Sequence, residues 1–155
     1  MVIKIVWNNF MKNFEKKIIV NEKDLDGLDH VNNLVYVKWA IDIAKNHWEN
    51  IATEKMIKSY HWVLLEHNIK YILPSYLNDK ILLKTYIDDT TRIKSKRVVE
   101  FYNIRCNKII AISNTSWCLI NSESKKIQRI NDQILNIFKT LNVFVNLTLL
   151  PQFFL

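Results

Sequence analysis

Between residues 24 and 36 the chain reads Asp-Leu-Asp-Gly-Leu-Asp-His-Val-Asn-Asn-Leu-Val-Tyr, crowding three carboxylates, an imidazole and two amides into one short stretch. Gly27, within it, is the single glycine of the sequence. A chain that otherwise avoids glycine and keeps one here predicts a backbone bend that a side chain would obstruct. Directly afterwards Leu34, Val37, Ile41, Ala44 and Trp48 recur at helix spacing, so Asn32 or Asn33 stands where an N-cap belongs. The first N–H groups of a helix lack internal partners and carry the positive end of its dipole. They can therefore hold a carbonyl oxygen that is gaining negative charge. A carboxylate just upstream can attack the same carbonyl carbon, or activate a water to do so. Such an arrangement suits acyl transfer. The same acids also suit a plain turn and helix start, because Asp favours both places, and residue types alone leave the two readings open.

Several elements must hold that stretch in place. Phe14 to Val20 reads as a strand leading into the acidic turn, with Ile18, Ile19 and Val20 β-branched. A long helix follows to about Ile51. Its core stripe is Leu34, Val37, Ile41, Ala44 and Trp48; Ala40 and Ala44 permit close backbone approach, and Lys38, Asp42, Lys45 and Glu49 form the solvated side. Thr53 to Tyr60 is a polar connection with room for a short helix. Trp62 to Ile72 then alternates, with Val63, Leu65, His67, Ile69 and Tyr71 on one face and Glu66, Asn68 and Lys70 on the other. His67, alone on an apolar face, fits a hydrogen-bonded core residue better than a catalytic one. Pro74-Ser75 and Asn78-Asp79 mark a turn. Further strands are expected over Asp79–Ile87, Lys96–Cys106 and Ile109–Ile120, the last two joined by a hairpin at Asn107-Lys108. A short strand at Lys126–Ile130 and a helix over Asn131–Leu141 complete the pattern. Four or five antiparallel strands with one long helix make an α+β layer arrangement.

The composition narrows the partners. A chain of 155 residues, 49% hydrophobic and 12% aromatic, is one globular domain with a substantial core. Its net charge of +7 favours an anionic partner: nucleic acid, anionic lipid or the phosphates of coenzyme A. No RNP-type motif, zinc-finger spacing or heptad basic region supports nucleic acid. Arg92, Lys94, Lys96 and Arg97 form the densest basic cluster, as phosphate contacts or as solvated turn charges. Cys106 and Cys118 build neither a disulfide framework nor a metal site, so a reducing cytoplasm is the simpler setting. Residues 1–12 read as an N-terminal extension without signal-peptide features, and residues 13–141 as the folded domain. The tail, 142–155, is almost wholly apolar but shorter than the roughly 20 residues of a membrane span, and suits covering a hydrophobic patch or an oligomer surface.

Asp24-Leu-Asp26, His30-Val-Asn-Asn33 and Tyr36, followed by a long helix with a small-residue face, resemble the signature segment of hot-dog fold acyl-CoA thioesterases. These include the 4-hydroxybenzoyl-CoA thioesterase type and the acyl-carrier-protein thioesterases. The similarity continues through Trp39, Asp42, Ala44, His47-Trp48, Trp62 to Tyr71 and Trp117 to Ile120, covering roughly residues 13–140. The resemblance implies an antiparallel sheet wrapped around one central helix and hydrolysis of an acyl-CoA or acyl-ACP thioester. It implies no cofactor beyond the coenzyme A of the substrate. Asp26 matches the family's carboxylate, as nucleophile or general base. The Asn33 N–H matches the carbonyl-polarising donor, and His30 a histidine that orients the acid, moves a proton or simply bonds within the turn. Asn32 and Tyr36 fall in the substrate-binding segment, and Arg92, Lys94, Lys96 and Arg97 would meet the phosphates of coenzyme A. Such proteins join sheets as homodimers, often further into homotetramers, with active sites shared between subunits. Two departures stand out. The acyl-carrier-protein branch carries Asn where this chain has Leu28, which puts a three-residue catalytic network in doubt. Many members carry Gly where it has Asp29, so a second charge either sits beside Asp26, raising one apparent pKa, or points to solvent. A hot-dog dehydratase acting by β-elimination and a non-catalytic acyl-binding module are the alternatives.

Overall fold

A computed structural model describes residues 6–11 and 13–144, with side-chain surroundings for 13–139. Most of the apolar tail, residues 145–155, lies outside the described residues, so its expected covering role does too. Strands β1 (Val6–Met11) and β2 (Phe14–Ile19) precede a short 3-10 turn and helix α1 (Asn33–Ile51). Helix α2 (Glu54–Ser59), strands β3 (Tyr60–Tyr71), β4 (Lys80–Thr90), β5 (Lys94–Asn103) and β6 (Lys108–Asn121), helix α3 (Asp132–Asn136) and strand β7 (Lys139–Phe144) follow. The main sheet is antiparallel with order β2-β4-β5-β6-β3, and β1 pairs with β7 in a separate ribbon. The sheet lies along α1, giving the α+β hot-dog architecture, and leaves β2 and β3 as its edges.

Alternating residues make one sheet face apolar. Ile81 and Leu83 of β4, Val99 and Phe101 of β5 and Ile110 of β6 are buried against Tyr36, Ala40 and Ile43 of α1. A second cluster gathers Trp48, Met56, Ile87, Leu119, Ile134 and Phe138 near the other end of the helix. Full burial of one large apolar side chain contributes about 1.5–3 kcal/mol, so these clusters fix how α1 sits on the sheet.

Several expectations are corrected. The buried face of α1 is Tyr36, Ala40, Ile43, Ala44, His47 and Trp48, rotated from the expected stripe, while Leu34 is 74% exposed and Ile41 is also exposed. His47 and Ala40 hold core positions that the expected stripe left out, so counting large apolar residues mistook the face. On β3 a bulge between Leu64 and Glu66 adds one residue, reversing the alternation. Val63 and Leu65 therefore face outward, while Trp62 and Leu64 share the half-buried face with His67 and Ile69. His67 does hydrogen-bond, through Nε2 to Ser113 Oγ at 2.8 Å. The strand expected at 126–130 is only an isolated bridge, Ile120 to Ile127, and the helix expected over 131–141 ends at Asn136 and gives way to β7. Lys38 and Asp42 pair at 2.6 Å on the exposed side of α1, where the sequence placed them.

Candidate active site

The acidic segment folds as a closed loop on the leading end of α1. Asp26 N–H donates to the His30 carbonyl at 2.8 Å, and Asn32 N–H donates to the Asp24 carbonyl at 2.9 Å. Leu25 and Val31 form an antiparallel bridge, and Val31 N–H donates to the Ser75 carbonyl, tying the loop to the β3–β4 connection. That connection is itself braced by buried Asp79, whose Oδ2 accepts from Tyr76 N–H and whose Oδ1 meets Arg105 at 3.3 Å.

Asp26 lies half-buried in this loop. Its Oδ1 accepts from Leu28 N–H at 2.8 Å and His30 N–H at 3.2 Å, which anchors one carboxylate oxygen to the backbone. Among the described residues no donor meets Oδ2, so the second oxygen keeps its lone pairs for chemistry. Leu28, the residue that departs from the family's Asn, contributes its backbone only, because its side chain is 75% exposed.

Gly27 is not where the backbone needs a glycine. Its φ is not positive, and a Cβ there would meet nothing within 4 Å. The left-handed residue is Asp29, at φ 60, with its side chain exposed. Asp tolerates that conformation better than most residues, and glycine tolerates it best, which accounts physically for family members with Gly at this place. Exposure favours the solvent-facing reading of Asp29.

Asn32 settles the N-cap question. Its Oδ1 accepts from Leu34 N–H at 2.9 Å and its carbonyl from Val35 N–H. The Asn33 N–H, by contrast, meets no acceptor among the described residues, leaving one donor open at the positive end of the helix. The Asn33 carbonyl accepts from Tyr71 Oη at 3.1 Å, so β3 reaches over to steady the helix start. The His30 ring packs edge-on against Tyr76 at 5.1 Å, and its link to Asp26 is through backbone atoms rather than the imidazole. Tyr36 departs from a ligand-facing position: it is 3% exposed, in edge contact with Trp39, Tyr71 and Phe101, and burial raises its pKa.

The basic cluster divides. Arg92, Lys94 and Lys96 are exposed, but Arg97 points inward from β5 and is 5% exposed. Its Nη1 donates to His47 Nδ1 and to Thr85 Oγ1, both at 3.0 Å, and its guanidinium lies 5.9 Å from the Phe138 ring centre. Strand alternation decides this, since Ser95, Arg97 and Val99 share the face toward α1. The Arg97–His47–Thr85 network escaped the sequence reading because its members are scattered, and only the inward parity of Arg97 in β5 signals it.

The family model of the acyl-ACP thioesterase N-terminal domain matches residues 8–138. The chain belongs to the acyl-ACP thioesterase family. Membership makes it an acyl thioester hydrolase. Solved structures agree on the fold. The probable thioesterase YbaW of Escherichia coli superposes with a TM-score of 0.72 at 17% identity, covering 83% of this chain and 96% of that one. The 1,4-dihydroxy-2-naphthoyl-CoA thioesterase Slr0204 of Synechocystis gives 0.71 at 14% identity, covering 82% and 96%. The 12:0-ACP thioesterase of Umbellularia californica gives 0.68 at 12% identity, where 79% of this chain matches 48% of that one. A search of curated proteins finds no significant match. Among the described residues no helix is long and apolar enough to cross a membrane.

Proposed function

We propose that this thioesterase cleaves acyl-CoA or acyl-ACP at Asp26, with the Asn33 N–H polarising the carbonyl. What supports this is one carboxylate oxygen anchored by Leu28 and His30 N–H groups and the other left open, on the loop that delivers the chain to an unpaired helix N–H. In the nucleophilic route Oδ2 attacks the thioester carbon, the C–S bond breaks, the thiolate takes a proton, and water then hydrolyses the mixed anhydride. In the general-base route Asp26 takes a proton from the attacking water and returns it to the leaving thiolate. Either way negative charge grows on the carbonyl oxygen, and one aligned donor contributes about 3 kcal/mol to its stabilisation. His30 holds the carboxylate through its N–H and lends its ring to the wall beside Tyr76. The reading uses no cofactor beyond the pantetheine arm the substrate brings, and gives Arg92, Lys94 and Lys96, not Arg97, the contacts with its phosphates.

A homodimer completes the site in this reading. Leu28, Leu34, Tyr71, Ile72 and Leu73 are exposed around the helix start, and β3 presents an edge that is unpaired among the described residues, with Val63 and Leu65 outward. Free thiols at Cys106 and Cys118 suit a reducing cytoplasm. The test is thiol release from matched panels of acyl-CoA and acyl-ACP across chain lengths. Hydration of an enoyl-CoA without thiol release would instead assign dehydratase chemistry, and tight binding without turnover would leave a binding module.

A further inference from the structure

Toward the far end of α1 from Asp26 lies a cavity of about 450 Å³ between the helix and the sheet. Trp48, Trp62, Trp117 and Phe138 wall it, and Arg97 opens onto it from β5. Its chemistry is unbalanced. The guanidinium is nearly buried, its two side-chain partners, His47 Nδ1 and Thr85 Oγ1, are neutral acceptors, and no carboxylate forms an ion pair with it among the described residues. Arg97 only donates, so His47 Nδ1 is the acceptor and the imidazole brings no charge to offset it. Burial lowers the Arg97 pKa to about 10, which leaves it a cation at neutral pH. A buried cation is unfavourable until an anion joins it. The indole N–H of Trp62, on the same wall, is also buried and has no hydrogen-bond partner among the described residues. The charged residues at the rim, Lys45 and Glu49, pair with each other at 3.7 Å and add no net charge.

Two donors, one of them a full positive charge, and aromatic walls are complementary to a molecule with an acceptor anion and an apolar body. We propose that this cavity binds a carboxylate carried on an aliphatic or aromatic body, with Arg97 and the Trp62 N–H taking the carboxylate oxygens. A carboxylate fits better than an alcohol because the planar guanidinium offers parallel N–H groups to two oxygens. Such a group arrives either as a free acid, the class of product thioester hydrolysis yields, or as a carboxylate at the far end of an acyl chain. The binding itself does not depend on the role given to Asp26.

Decanoate, decanol and decyltrimethylammonium are titrated against the full chain, reading tryptophan fluorescence and binding heat, and KM is compared for decanedioyl-CoA and decanoyl-CoA. Decanoate binding about tenfold or more tighter than the other two is expected for the free-acid source. A KM about tenfold lower for decanedioyl-CoA is expected for the acyl-terminus source. Either preference must disappear in Arg97→Met. Should that variant fail to fold, Trp62→Phe, which keeps a ring and removes the second donor, must weaken the preference by about threefold or more. Equal binding of all three ligands together with equal KM values overturns the proposal, as does a preference that survives the substitution. The titrations need no turnover, so an inactive preparation leaves them decisive.

Discussion

Replacing Asp26 separates its chemical from its structural work. Its Oδ1 holds Leu28 and His30 N–H groups at 2.8 and 3.2 Å in a half-buried loop. Discounted for solvent, two such bonds to a carboxylate are worth about 1 kcal/mol each, so Asp26→Ala is expected to cost about 2 kcal/mol. In a domain of this size that lowers Tm by about 4–8 °C. Asp26→Asn keeps an oxygen acceptor for both N–H groups and loses only the charge, so its Tm is expected to fall by about 2 °C or less. Removing the nucleophile or base is expected to lower kcat by about 10²–10⁴-fold in both variants. Because Gly27 follows, an amide at this place is prone to hydrolyse back to the carboxylate, and fresh protein checked by mass spectrometry is required. The assay pairs thiol release under saturating substrate with thermal unfolding. If Asp26→Asn keeps more than about a tenth of wild-type kcat, Asp26 is not the reacting group. If both variants lose the same Tm, the hydrogen-bond account of the loop is wrong.

Other outcomes follow from the same geometry. Gly27→Ala is expected to raise stability by about 0.5 kcal/mol, since φ is compatible and the space is open, whereas Asp29→Ala at φ 60 is expected to cost about 1 kcal/mol; denaturant midpoints compare them. Leu65→Lys on the free edge of β3 is expected to convert the proposed dimer to a monomer in light scattering, with lower specific activity at equal protein concentration. For His67, burial lowers the folded pKa below the ordinary 6.5, so the unfolded chain binds more protons between the two values. Its stabilising contribution is then present above the unfolded pKa and lost as pH falls through the folded one; urea titrations at mildly acidic and neutral pH should show a slope that His67→Gln reduces.

From the sequence alone came the long helix and the strands of the main sheet, the order of chemistry-bearing residues and the family. Local causes sufficed, because the Asp-rich turn, the Asn N-cap and the β-branched runs act within a few residues of themselves. The side-chain hydrogen bonds of Asp26 and Asn32 were legible for that reason: they close over four positions or fewer. What the sequence could not give were quantities set by contacts between distant segments. The bulge in β3 reverses which side of Leu65 faces the core, since one added residue moves every following side chain to the opposite face. Arg97 looked like a surface charge beside Lys94 and Lys96 until the register of β5 turned it inward onto His47, fifty positions away. The left-handed residue proved to be Asp29 rather than Gly27, because the bridge from Leu25 to Val31 decides where the loop must turn. Propensity and short-range bonding write themselves into neighbouring letters, whereas burial and pairing belong to residues that only the folded chain brings together.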